Sequence, residues 1–170
     1  LTGRIGIFAV AHATYWDQFE GLLDNIMGYH KELIEKVQKN DVEVIDFGMI
    51  DSSEKAYDII PKMQKENIDV LFCNMVTYAT SSVFAPIMRE MNVPMVLIAL
   101  QPLKGLDYSK ASTFMQLEND NICSVPEFTG VAIRMGKKIN DCIIGTLYND
   151  DEAKKEIARW CDIAKVLHDL

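Results

Sequence analysis

Ala11-His12-Ala13-Thr14-Tyr15-Trp16 sets an imidazole, a hydroxyl, a phenol and an indole within five residues of one another. Aromatic faces stack on the C–H side of a sugar ring while polar tips bind its hydroxyls, so a small-molecule carbohydrate suits this segment. The competing reading makes Trp16 a packing residue on the next helix and His12 a solvent-facing group. A second polar run, Thr77-Tyr78-Ala79-Thr80-Ser81-Ser82, offers hydroxyls and one aromatic at a helix entrance. It suits a polyol better than a phosphate; otherwise it is an ordinary Ser/Thr cap beside a surface Tyr.

Other chemistries are excluded by what stands in their place. The first apolar run leads into Phe8-Ala9-Val10-Ala11-His12 rather than GxGxxG, and no GxxxxGK[ST] occurs. Ala11-His12 and Asn74-Met75 occupy the positions where a phosphoacceptor receiver needs acidic residues. Asp17, Asp51 and Asp150 to Glu152 place carboxylates at the helix starts, where they cap N–H groups and repel an anion. The three histidines are isolated, HExxH and GxSxG are absent, and no catalytic or metal-ligating residue is assigned. His30 lies in an apolar stripe as a core histidine, and His168 sits at a fraying end without a role. By itself the chain reads as a binding or framework domain.

These segments need a scaffold that brings them to one edge. Apolar runs at Arg4–Val10, Val42–Phe47, Val70–Met75, Met95–Leu100 and Asp141–Leu147 show little alternation, as strands covered on both faces should. Phe19 to Val37 repeats apolar residues by three and four, with Asp17 and Glu20 as a capping box. Further helices are expected over 53–66, interrupted or kinked by Pro61, then 81–91, 113–118, 126–138 and 151–167. Strand–helix alternation at this spacing predicts a doubly wound, five-stranded parallel sheet of flavodoxin-like order 2-1-3-4-5. Ligands bind beyond the carboxyl ends of such strands, so function is expected in 11–16, 48–53, 76–80, 101–105 and 148–151.

At 170 residues, 49% hydrophobic and 25% charged, the chain is one foldable α/β domain, 1–170. Its net charge of −8 argues against nucleic acid and anionic membranes. Neither a membrane span nor a signal peptide is seen, which makes a cytoplasmic location the expectation. Cys73, Cys123, Cys142 and Cys161 are too far apart for CxxC pairs and read as buried, reduced thiols. Opening on Leu1-Thr2-Gly3 without Met, the chain reads as an excised piece.

Taken in order, Ala11-His12-Ala13-Thr14-Tyr15, Val76-Thr77-Tyr78-Ala79, Asn92-Val93-Pro94-Met95-Val96-Leu97, Gln101-Pro102, Phe114 to Asn119 and Glu127-Phe128-Thr129-Gly130 make a further pattern. It resembles the N-terminal domain of the L-arabinose isomerase group of sugar isomerases, related in architecture to L-fucose isomerase. The resemblance spans nearly the full chain. It implies a longer, multi-domain homo-oligomer that interconverts an aldose and a ketose with manganese or another divalent metal. The metal ligands would lie in later domains, and this domain would complete a neighbouring subunit's active site. By position, Tyr15 matches a substrate-contacting Tyr and Tyr78 a pocket aromatic. His12 and Asn119 stand where the family has Gln, and Thr14 where it has Leu, which implies a sugar other than arabinose. Two alternatives stand beside it: a sugar-binding lobe of the periplasmic-binding or repressor-core type, suggested by Ile68 to Phe72 and Val93 to Ile98, and a purely assembly role.

Overall fold

Five strands form in the computed structural model, which describes residues 2–170: β1 Arg4–Val10, β2 Glu43–Ile50, β3 Val70–Met75, β4 Met95–Gln101 and β5 Asp141–Thr146. They pair in parallel as β2-β1-β3-β4-β5, so the fold is the expected flavodoxin-like α/β order. The helices are α1 Thr14–Gln18, α2 Leu22–Gln38, α3 Ser53–Lys65, α4 Ala85–Glu90, α5 Thr113–Glu118, α6 Val125–Arg134 and α7 Asp151–His168. All six residues of β3 are buried, as are six of the seven in β1.

The two sheet faces make two cores. Ile5, Ile7, Phe72, Val96 and Ile98 pack against Leu33 and Val37 of α2 and Ala153, Ile157 and Trp160 of α7. Phe8, Val10, Leu71, Cys73 and Leu97 pack against α3, α4 and α6, where Phe84 and Phe128 stack at 4.5 Å. One polar network interrupts this packing. His30, 1% exposed on α2, accepts from Asn74 Nδ2 of β3 at 3.1 Å through Nδ1, which leaves Nε2–H to donate to Asp46 Oδ1 of β2 at 2.9 Å. The hydrogen bond from His30 is the main reason Asp46 is held below the usual carboxylate range. The sequence expectation of a core histidine is met, with its partners now named.

Several local expectations change. The helix after β1 is broken: α1 ends at Gln18, Phe19 beyond it is extended at φ −129° and ψ 90°, and Gly21 at φ +82° precedes α2. The Asp17–Glu20 capping box therefore does not form, because Asp17 lies inside α1. Pro61 neither splits nor ends α3. The carbonyl four residues earlier, which Pro61 cannot bond, belongs to Tyr57, an exposed residue. Pro86 does limit its helix, which is reduced to a 3₁₀ turn at Ser81–Val83 followed by the short α4. The helix expected to reach residue 138 stops at Arg134, with Gly136 at φ +68° turning the chain.

His168 is not idle, because its Nδ1 lies 3.0 Å from Asp69 Oδ2, which also accepts the Arg4 N–H at 2.7 Å. Leu167, near the end of α7, is 36% exposed. The four thiols are free, but only Cys73 and Cys161 are buried, Cys142 is half-buried and Cys123 is exposed. Both sheet edges are blunted by carboxylates, which discourages edge pairing. On β5, Cys142 N–H donates to Asp141 Oδ1 at 2.8 Å and Thr146 N–H to Asp150 Oδ2 at 2.9 Å. On β2, Gly48 N–H donates to Asp46 Oδ1 at 2.8 Å beside a break in register. No helix among the described residues is long and apolar enough to cross a membrane.

The His30 network yields a stability prediction. His30→Leu leaves the Asn74 amide, 5% exposed, without its partner and should lower the unfolding free energy by about 1–3 kcal/mol. Adding Asn74→Leu removes both polar partners and should restore much of that loss. Urea denaturation of the two variants checks this; a double variant less stable than the single one contradicts it.

Candidate functional site

β1 and β3 are adjacent at the point where the strand order reverses, so their outgoing loops meet at one crevice of the carboxyl edge. His12 leaves β1 and Tyr78 leaves β3. The His12 ring lies edge-on to Tyr15 at 5.5 Å and 88°, and edge-on to Tyr78 at 6.4 Å and 89°. All three are half-buried. Burial pushes the Tyr15 phenol up, with Asp120, Tyr78 and Cys123 adding to the shift, so the phenol stays neutral and able to donate.

The first loop is held from below and from the side. Tyr15, Trp16 and Phe19 pack on a small core of Ala9, Leu22, Ile26, Val76 and Leu117. Trp16 Nε1 donates to Asp51 Oδ2 at 2.7 Å, while Ala13 N–H donates to the Asp51 carbonyl at 3.2 Å. Trp16 is thus a packing residue, as the competing sequence reading had it, and through Asp51 it is also a latch. Asp51 was read as a helix cap, but Ser52 caps α3 and the Asp51 side chain, 6% exposed, is paired with Lys55 at 2.7 Å. Burial by itself raises its carboxyl; the hydrogen bonds from Lys55 and Trp16 outweigh that and hold it below the ordinary range.

The second loop is clamped by the segment before α6. Ser124, fully buried, donates from Oγ to the Ala79 carbonyl at 2.7 Å and accepts the Ala79 N–H at 3.0 Å. Asn121 Nδ2 donates to the Met75 carbonyl at 2.8 Å. Glu127 Oε1 accepts the Ser81 N–H at 2.7 Å, so even the helix entrance that lacks its own carboxylate receives one from α6. Thr77 Oγ1 and Asn121 Oδ1 are buried without a hydrogen-bond partner among the described residues.

Of the five sequence-assigned residues, the structure brings His12, Tyr15 and Tyr78 together. Thr14 is exposed as the first residue of α1. Asn119 uses both ends of its amide locally, accepting from Leu103 N–H at 2.8 Å and donating to the Met115 carbonyl at 2.8 Å. It ties the loop after β4 to α5. Sequence reasoning missed Asn121, Ser124 and Glu127. Ser124, two residues before Pro126, carries the signal of a helix cap, yet its hydroxyl makes no cap bond and turns to Ala79 instead. Among the described residues no group of three or more His, Cys, Asp or Glu side chains could hold a metal ion.

No family model matches the chain, and no curated protein matches it. Solved structures do match. One is a type II dehydroquinase from Propionibacterium acnes, aligned over 96% of this chain and 99% of that one, with a TM-score of 0.49 and 12% identity. A likeness of this size carries no residue, substrate or reaction across to this chain. The comparisons do correct the family expectation. The solved structure named is a dehydroquinase, and neither a family model nor a curated protein joins the chain to an arabinose or fucose isomerase. Membership of the L-arabinose isomerase group is withdrawn, together with the isomerase activity and the manganese that the resemblance implied.

The latch is testable. Asp51→Asn weakens charge-assisted bonds at a buried carboxylate, worth about 1.5–3 kcal/mol, and should free the loop that carries His12 and Tyr15. Faster amide exchange over 11–16 is expected, with altered Trp16 emission in a Trp160→Phe background. Because Asp51 is held below its ordinary value, the unaltered protein should show the same change as pH falls below about 3.9 and through that lowered value. Unchanged exchange in the variant would rule out the latch.

Proposed function

We propose that this chain is a ligand-recognition domain whose His12, Tyr15 and Tyr78 take a small, uncharged polyhydroxylated molecule of the sugar class. The observation that carries the reading is the edge-on arrangement of one imidazole against two phenols at the β1–β3 crevice. Ring faces offer stacking to a sugar's C–H surface, while the imidazole and phenols offer donors and acceptors to its hydroxyls. Charge selects against anions. Asp120 acts on Tyr15, and Glu127 occupies the Ser81 N–H that would otherwise face a phosphate.

The three rings lie half-buried at the carboxyl edge of the sheet. Cavities of about 380 to 630 Å³ elsewhere on the molecule include none of them in their walls. Small-molecule sites usually bury most of their ligand, so a second protein surface would have to close this one. A homo-oligomer in which a neighbouring subunit supplies that wall fits this requirement.

Titrating the protein with a panel of pentoses, hexoses and deoxy sugars, followed by amide chemical shifts, tests the reading. Saturable shifts are expected at His12, Tyr15 and Tyr78 for at least one neutral sugar and for none of the corresponding sugar phosphates. Tyr15→Ala and Tyr78→Ala should each weaken that binding about tenfold or more, a loss of about 1.4 kcal/mol. Shifts that map to another edge, or affinities indifferent to both substitutions, contradict the assignment.

A further inference from the structure

The outward face of α7 leaves apolar surface uncovered. Lys155, Ala158, Arg159, Asp162, Ile163 and Val166 line a shallow groove of about 550 Å³ along the helix. Val166 is 62% exposed. Spacings of three and four residues put all six on one stripe of the helix. The opposite stripe, with Ala153, Ile157, Trp160, Cys161 and Ala164, is buried on the sheet.

The order of residues along this stripe is self-complementary. Reversing α7 about the midpoint between Arg159 and Asp162 sets Arg159 against a second Asp162, small Ala158 against Ile163, and the Lys155 stem against Val166. We propose that this face is a two-fold contact with a second copy of the chain, the two α7 helices packing antiparallel. A two-fold contact requires a patch that complements itself, and this charge order meets that condition.

The two charged residues have capacity left for a partner. Arg159 bonds Glu156 through Nε and Nη2 and Asp141 through Nη2, and Nη1 has no partner among the described residues. Asp162 takes Lys165 on Oδ1 at 3.1 Å, and its Oδ2 is likewise unpaired among the described residues. Their side chains are 53% and 75% exposed. Ala158 at the centre allows the helix axes to approach closely. One helix pair is a small interface, at or below the low end of stable complexes, so the dimer should dissociate on dilution.

Sedimentation equilibrium of the full chain over a range of concentrations tests this, with circular dichroism confirming that each variant folds. The average mass should rise with concentration toward twice the monomer. Val166→Asp, at an exposed position, should abolish the rise. Asp162→Arg sets like charges against each other twice per dimer and should weaken association by about tenfold or more. Adding Arg159→Asp restores opposite charges across the two-fold axis and should recover association. A chain that stays monomeric throughout, or a dimer indifferent to Val166→Asp, overturns the proposal. So does a charge-swapped double variant that associates no better than Asp162→Arg alone.

Discussion

Burial of β1 and β3 on both faces is the constraint from which the rest of the molecule follows. With helices on either side, the backbone of these strands has only lateral partners, and parallel pairing satisfies them. Polar side chains are then confined to the strand ends or must arrive with partners. Asn74 is the interior exception, and its amide is matched by His30, which is matched in turn by Asp46. The same constraint pushes chemistry to the carboxyl edge, where His12 and Tyr78 leave neighbouring strands.

Two different devices keep that edge ordered. The β1 loop is held by one buried carboxylate, with Asp51 gripping Trp16 and Lys55. The β3 loop is held chiefly by neutral hydrogen bonds from the stretch before α6, with Ser124 satisfying both backbone groups of Ala79, and Glu127 adds one carboxylate at Ser81. The first depends on a buried carboxylate paired with a cation, the second mainly on neutral groups. Tyr15 and Tyr78 therefore sit on supports of different physical character while facing the same imidazole.

Much of the architecture was legible because it depends on local pattern. Unbroken Val, Ile, Leu and Phe runs identify doubly covered strands, and their alternation with helical stripes leads to the strand order. Helix boundaries were less legible. Asp17 and Glu20 have the types and spacing of a capping box, but packing of Trp16 and Phe19 onto Leu22 and Ile26 breaks the chain between two helices. Asp51 resembles a cap because it precedes a helix, and only the approach of Trp16 from another loop gives its carboxylate a different use. The family resemblance rested on the order of short, common segments, none of which carries a mechanism in its spacing.

Side-chain type and periodicity by themselves determined the sheet, the stripe of α2, the core position of His30 and the aromatic–hydroxyl character of the first loop. These follow from hydrophobic burial and from residues near one another in the chain. Tertiary structure decided which polar groups meet. It joined His12 to Tyr78 across two strands, brought Glu127 and Ser124 to a loop more than forty residues away, and spent Asn119 on the backbone of Leu103. Hydrogen bonds are short-ranged and directional, so their pairing depends on where the packed helices set each segment, and no local spacing encodes it.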